Sequence, residues 1–204
     1  MNSKFRIFPI GQGLLETTVA VSVIVTGLAA VFGLVMSNAR ANDAAALRFN
    51  ATQLAREGVE VVRMLRDSNW LAGDAWDVGI TAPSQDRPAT IAVFRPSDGS
   101  WSLNYVPYDF DQEAAMIVRV HGENETTFFT QSVAPVDATM VTPYRRLILL
   151  YPICASGAVL SSKSGDVCYS DYPKVGIDVR SVVQWSDRNG THELTAEEHL
   201  YDWR

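Results

Sequence analysis

Motifs of catalysis and of cofactor binding are largely missing from this sequence. It has three histidines and two cysteines in 204 residues, and it contains neither a G-x-S-x-G motif nor a glycine-rich phosphate loop. Basic residues are outnumbered, with 17 Lys and Arg against 23 Asp and Glu, which disfavours nonspecific binding to nucleic acid. The sequence therefore predicts no enzyme, no cofactor and no nucleic-acid partner.

The histidine pair that suggests a metal site lies in HELTAEEH, near the end of the chain. His192 and His199 are seven residues apart, which differs from the spacing of the H-E-x-x-H zinc motif. Two residues seven apart on one strand point to opposite faces of a sheet, so their imidazoles do not converge. We therefore expect solvated side chains here and predict no metal site.

The two cysteines, Cys154 and Cys168, have a spacing that fits no metal motif. They flank the stretch SGAVLSSKSGDV, which is typical of a loop, and a disulfide that closes it would be worth roughly 3 kcal/mol. If this part of the chain lies outside the cytoplasm, we expect a disulfide. If it lies in the cytoplasm, we expect two separate buried thiols.

Ionisable residues are nearly absent from residues 14–36, where Glu16 is the only one. A run of this length is enough for a helix to cross a bilayer of roughly 30 Å. It is too long for the apolar core of a secretory signal peptide, and Arg40 would lie inside the small-residue cleavage site. A plain membrane anchor remains an alternative, with Glu16 at the membrane interface.

Proline is absent between Pro9 and Pro83, so none interrupts a helix in this region. Past the apolar run, small and apolar residues recur at steps of three and four, as they do on one face of a helix. We predict one helix over residues 13–66, ended by the polar sequence Asp67-Ser68-Asn69. The apolar stripe consists of Ala44, Leu47, Ala51, Leu54, Gly58, Val61 and Leu65.

Residues 67–204 show no second helical stripe and have short runs of β-branched and aromatic residues instead. The clearest run, residues 175–186, alternates with period two and precedes the hairpin signal Asn189-Gly190. Residues 191–200 should return antiparallel. We therefore predict an α+β fold, in which a long N-terminal helix packs on a C-terminal antiparallel β-sheet domain. The other predicted strands are residues 90–94, 100–106, 115–120, 127–133 and 145–151.

A short basic leader ends in Gly11 just before the apolar run, and Glu16 is the fifth residue after that glycine. This arrangement resembles the N-terminus of type IV pilins and pseudopilins. The resemblance implies cleavage by a prepilin peptidase between Gly11 and Gln12. The family usually has phenylalanine and threonine at the first two mature positions, where this chain has Gln12 and Gly13, which leaves methylation of Gln12 open.

Glu16 also has a physical reason to act in assembly. A carboxylate within hydrocarbon costs about 2.5–3.5 kcal/mol, so such a residue is normally paired or functional. The amino group created by cleavage after Gly11 is a natural partner. By the resemblance, that amine neutralises the glutamate of a neighbouring subunit and sets the axial register of a filament.

Two further stretches resemble the same group of proteins. Residues 54–71, LAREGVEVVRMLRDSNWL, match an EG-x-E-x-x-R-x-x-RD-x-NW pattern, and the final strand pair with its YDWR ending resembles the C-terminus of the group. We expect the first motif to be structural. Its matching positions are Gly58, Glu60, Arg63, Arg66, Asp67, Asn69 and Trp70.

The resemblance implies a structural subunit, a minor pilin or pseudopilin, of a type IV pilus-like or type II secretion-like filament. Its expected parts are a leader (residues 1–11), the transmembrane half of the helix (12–36), the amphipathic half (37–66) and the head (67–204). The implied partners are a prepilin peptidase, other pilins, an inner-membrane assembly platform and membrane lipid. The head would lie outside the cytoplasm. The alternative is a single-pass anchored extracytoplasmic binding domain that does not polymerise.

Overall fold

The computed structural model describes residues 10–81, 89–105, 109–121, 127–131, 140–160 and 168–203. The chain divides into two compact units, Met1–Leu47 and Arg48–Arg204. One long helix, α1 (Ile10–Ala72), begins in the first unit and ends in the second, which also holds the seven described strands. The predicted α+β class, with a long apolar N-terminal helix and an antiparallel sheet, is confirmed.

Helix α1 has two different surfaces along its length. The side chains of residues 13–46 are exposed all round, whereas Ala51 is fully buried and marks the start of a buried face. The predicted stripe was therefore too long at its beginning, because Ala44 is exposed and Leu47 is only half-buried. The buried face comprises Ala51, Leu54, Ala55, Gly58, Val59, Val61, Val62 and Arg66.

The predicted end of the helix at residues 67–69 is wrong, since α1 continues to Ala72. Gly73 ends it with a positive φ of 81°, a conformation that glycine adopts without a steric penalty. The Gly73 amide donates to the carbonyl of Trp70, and the Asp74 amide donates to that of Asn69. These two bonds form a Schellman motif, which satisfies carbonyl groups of the last turn.

The sheet has seven strands, and every described pairing is antiparallel. Each predicted strand segment corresponds to an observed one. Residues 106, 132 and 133 of the predicted segments lie outside the described residues. The strands are β1 (Ala89–Arg95), β2 (Ser100–Asn104), β3 (Met116–His121), β4 (Thr127–Thr130), β5 (Met140–Cys154), β6 (Lys174–Asp187) and β7 (Gly190–Tyr201).

Strand β5 is the centre of the sheet, and it is twice as long as its predicted segment of residues 145–151. One edge of β5 pairs with β3 and β1, which continue outward to β4 and β2, and the other edge pairs with β6 and then β7. A short 3₁₀ turn, Glu113–Ala115, leads into β3. The turn between β6 and β7 lies at Arg188 and Asn189, one residue earlier than predicted.

The core lies between the C-terminal part of α1 and one face of this sheet. Val59 and Val62 of α1 belong to the same buried cluster as Ile148 and Leu150 of β5. Burying one such side chain contributes about 1.5–3 kcal/mol, so this interface is a main source of stability for the second unit. The cluster is completed by Val61, Ile80, Ala92, Ile177, Val179 and Leu200.

Candidate functional site

The N-terminal part of α1 combines an exposed apolar surface with internally satisfied hydroxyl groups. The segment is long and apolar enough to cross a membrane, and none of it is buried against the described part of the chain. Each hydroxyl group of Thr17, Thr18, Ser22 and Thr26 donates to a carbonyl three or four residues earlier, at 2.7–2.9 Å. Such bonds satisfy these four hydroxyl donors within the helix, which suits a helix in an apolar environment.

Glu16 lies near the start of this surface and is exposed. No hydrogen bond or ion pair reaches its carboxylate from the residues that the structure describes. Gly11 and Gln12 lie in the first turn of α1, one turn before Glu16, whereas leader residues 1–9 are outside the described residues. In the described part of the chain, Glu16 is therefore an exposed carboxylate at the start of an apolar surface.

The C-terminal part of α1 is fastened to the sheet by a buried arginine. Arg146 of β5 is 1% exposed, and its Nη1 donates to the Glu57 carboxylate at 3.1 Å and to the Leu54 carbonyl at 3.0 Å. Its Nε donates to the Gln131 side-chain oxygen at 3.1 Å. Burial lowers the pKa of Arg146, and the Glu57 carboxylate opposes that shift. The guanidinium therefore joins α1, β5 and the residue after β4 in one polar network.

Gly58 allows α1 to approach the sheet closely at the same point. A Cβ at this position would lie 3.0 Å from the Ser181 Cβ and 3.3 Å from the Arg146 Cδ. Ser181 lies on β6, directly opposite Ile148 of β5. A side chain at residue 58 would thus collide with the strand that the helix crosses, which explains the glycine in the EG part of the motif.

The rest of the motif fixes the last turns of α1. Arg63 pairs with Glu60 one turn earlier and reaches across to Glu198 of β7. The Arg66 guanidinium lies 4.6 Å from the centre of the Trp70 ring, a cation–π distance. These contacts support the expectation that the motif is structural.

Two residues of the motif also hold the segments beyond the helix. The side-chain Nδ2 of Asn69 donates to the carbonyls of Trp76 and Val78, at 3.0 and 2.8 Å, and so orders the turn after α1. Trp70 packs edge-on against Trp203 of the YDWR ending, with ring centres 4.7 Å apart. Residues 54–71 and the YDWR ending, two of the stretches singled out in the sequence, therefore meet in the structure.

The histidines of β7 lie on opposite faces of the sheet. His192 stacks on Trp185, with ring centres 5.4 Å apart, and its Nε2 lies 2.9 Å from Asp187. The imidazole of His192 beside it lowers the pKa of Asp187. His199 instead faces Asp178 and Glu197, with its Nε2 3.7 Å from an oxygen of each. The sequence prediction considered only the two histidines together and missed this three-residue cluster.

Cys154 and Cys168 are joined by a disulfide in the structure. It links the end of β5 to the segment before β6, and residues 161–167 of the enclosed stretch lie outside the described residues. A bridge between Ile153 and Val159 folds the start of the stretch back on β5. The disulfide therefore closes the connection between the two longest strands of the sheet.

The fold and these sites define an α+β protein whose N-terminal helix is long and apolar enough to span a membrane. Comparison with protein-family models, curated proteins and solved structures finds no match to this chain. A proposal for its function therefore rests on its own residues and their geometry.

Proposed function

We propose that this chain is a structural subunit, a minor pilin or pseudopilin, of a type IV pilus-like or type II secretion-like filament. A prepilin peptidase cleaves it between Gly11 and Gln12. The helix holds it in the cytoplasmic membrane with the head outside, and an assembly platform there transfers it into a filament with other pilins. Its role is mechanical, and we assign it no catalytic residue.

The main observation behind the proposal is that one part of α1 is exposed all round, whereas the following part has a buried face. Among the residues that the structure describes, those at 13–46 of α1 have exposed side chains, whereas the face that starts at Ala51 is buried on the sheet. An apolar surface of this size needs other apolar surroundings. Lipid supplies them before assembly, and the helices of neighbouring subunits supply them in a filament.

Glu16 supports polymerisation over simple anchoring. Its carboxylate has no partner among the described residues of its own chain, although it lies in a run that is otherwise free of charge. A plain anchor places this charge at the membrane interface and has no use for it, whereas within hydrocarbon the charge costs about 2.5–3.5 kcal/mol and needs a partner. In a filament, the N-terminal amine of a neighbouring subunit neutralises this charge, and the pair can form only at one axial offset.

The network around Arg146 supports the same proposal. Filament helices can position a head only if the head is held firmly on its own helix. The charge-assisted bond from Arg146 to Glu57 and the close approach at Gly58 provide this attachment.

The alternative is a single-pass anchored extracytoplasmic binding domain. It shares the bare apolar helix but needs neither cleavage at Gly11 nor a carboxylate at Glu16. The two functions are therefore separated by processing at the N-terminus.

The experiment measures the mature N-terminus by intact-protein mass spectrometry after expression with and without an active prepilin peptidase. The proposal predicts a mass loss equal to residues 1–11 only when the peptidase is present. The Gly11→Val variant should stay uncleaved. Its matched control is Gly13→Val, two residues later, where a Cβ meets no atom within 4 Å, and this variant should still be processed. A wild-type chain that keeps residues 1–11, beside a control prepilin that is cleaved, would favour the anchored domain.

A further inference from the structure

We propose that Asp178, Glu197 and His199 form a binding site for a divalent transition-metal ion such as Zn²⁺. The three residues are brought together by the β6–β7 hairpin, where Asp178 is directly opposite His199 and Arg180 is directly opposite Glu197. One ligand atom from each of the three lies within 4.8 Å of the other two. The site is separate from the helix and from the residues proposed for assembly.

The cluster lies on the sheet face opposite the one that α1 covers. Side chains alternate along a strand, and Val179 of β6 and Glu198 of β7 face the helix, where they meet the core and Arg63. Their neighbours Asp178, Glu197 and His199 therefore face the other way.

A buried oxygen without a donor is the strongest sign of a ligand at this site. Asp178 is fully buried, and its Oδ2 accepts bonds from Arg180, with Nε at 2.9 Å. Its Oδ1 is buried as well, yet no donor among the described residues bonds to it. The His199 Nε2 is the nearby polar atom, but at 3.7 Å it is too far for a hydrogen bond. Buried polar atoms are normally satisfied, and a cation between Oδ1 and Nε2 would satisfy this one.

The donor set selects among metals. Zinc binds imidazole nitrogen and carboxylate oxygen at about 2.0–2.2 Å, so tetrahedral ligand atoms lie roughly 3.3–3.6 Å apart. His199 Nε2 is 3.7 Å from Asp178 Oδ1 and from Glu197 Oε1, and the three ligand atoms lie within 4.8 Å of one another. A tetrahedral shell therefore requires the two exposed side chains to move inward. Calcium and magnesium prefer shells made of oxygen alone, so the imidazole disfavours them. Three ligands from the chain leave the fourth position open to solvent.

Arg180 shapes the site without occupying it. Its guanidinium pairs with Asp178 Oδ2 at 2.8 Å, lies 3.6 Å from Glu197 Oε2, and rests over the Tyr151 ring. It thereby holds one oxygen of each carboxylate and leaves the other oxygen turned toward His199. Partners of this kind orient metal ligands in many sites. Two carboxylates against one arginine leave an excess negative charge for a cation.

The test uses the full chain in detergent micelles, equilibrated with Zn²⁺ or with Co²⁺ as a spectroscopic probe. We expect one Zn²⁺ per chain after dialysis, measured by elemental analysis, and visible Co²⁺ absorption bands of a four-coordinate site. His199→Gln and Glu197→Gln change exposed side chains and should weaken Zn²⁺ binding at least about tenfold. His192→Gln is the matched control, because His192 is on the same strand beside a single carboxylate, and it should leave binding unchanged.

Three results would overturn the proposal. The first is the absence of stoichiometric Zn²⁺ in the wild-type chain. The second is Zn²⁺ binding that survives both His199→Gln and Glu197→Gln while circular dichroism shows both variants folded. The third is equal loss of binding in His192→Gln, which would place the metal elsewhere.

Discussion

Replacing Glu57 with glutamine tests whether the buried arginine fastens α1 to the sheet. Arg146 is 1% exposed, so its charge cannot reach water when the carboxylate is removed. Glutamine keeps the shape of the side chain and an oxygen that can accept a hydrogen bond, but it does not balance the charge. The change therefore isolates the cost of leaving a buried guanidinium without a counter-ion.

The expected loss in the free energy of unfolding is about 2–3 kcal/mol. Removing one partner of a fully buried ion pair costs about 3–5 kcal/mol. The lower figure applies here because the Glu57 side chain is 34% exposed and the glutamine oxygen still accepts from Arg146. For a domain of this size, roughly 2–4 °C of melting temperature correspond to each kcal/mol, so we expect a decrease of about 4–12 °C.

Near-ultraviolet circular dichroism of the full chain in detergent micelles measures this melting temperature. Glu60→Gln is the control, because Glu60 also pairs with an arginine on α1 but its side chain is 60% exposed, and it should cost less than about 1 kcal/mol. Adding Arg146→Met to Glu57→Gln removes the unpaired charge and should cost less than the two single changes together. Equal melting temperatures for Glu57→Gln and Glu60→Gln would refute the argument.

Two more changes probe the same unit by thermal unfolding. Gly58→Val should destabilise it by about 1–3 kcal/mol through overpacking against Ser181. The control is Gly33→Val, because no atom lies within 4 Å of a Cβ at this helical glycine, and it should leave the stability of the unit unchanged. Equal effects of the two changes would contradict the close approach of α1 to the sheet at Gly58. Burial alone would raise the pKa of Asp77, but the hydrogen bond and charge of Lys174 outweigh burial and lower that pKa. The ion pair therefore stabilises the folded chain fully above the unfolded pKa of about 3.9, and this stabilisation is lost as the pH falls through the folded pKa. Between about pH 6 and pH 3, the wild-type chain should lose more stability than Asp77→Asn, and identical pH profiles would exclude a role for this pair.

The strands were predictable because their alternation reflects the half-buried faces on which they lie. Val175 to Trp185 alternates in sequence, and β6 buries Ile177, Val179 and Trp185 of that pattern. Its other face is less exposed than the alternation predicts, because Asp178 and Val182 are buried as well. The length of β5 was less predictable, because its first residues, such as Met140 and Val141, are apolar yet exposed. There, pairing with β3 rather than burial makes the strand.

The end of α1 was missed because its polar residues act within the helix. Ser68 donates to the Met64 carbonyl one turn earlier, and the Asn69 side chain holds the following turn. Residues of these types often stop a helix, but their effect depends on partners that sequence does not show. Gly73 was the available signal, since glycine commonly follows the last helical residue.

The proximity of Asp178, Glu197 and His199 depends on the register of the β6–β7 hairpin, and an error of one residue in the predicted turn conceals it. The observed turn at Arg188 and Asn189 places His199 opposite Asp178. The predicted turn at Asn189-Gly190 would have placed His199 opposite Arg180, beside a positive charge rather than an acid. The buried role of Arg146 was likewise hidden, because its partners Glu57 and Gln131 are distant in sequence.

The central claim is that this chain polymerises through its N-terminal helix. The most direct measurement is the amount of this protein in filaments sheared from the surface of its own cells. The account predicts that the wild-type chain is present there and that Glu16→Ala is retained in the membrane. Asp43→Asn is the matched control, an exposed acid on the same helix beyond the apolar run, and it should assemble normally. Glu16→Ala chains that enter filaments as efficiently as the wild type would contradict the register role, and a processed wild-type chain that never leaves the membrane would contradict polymerisation itself.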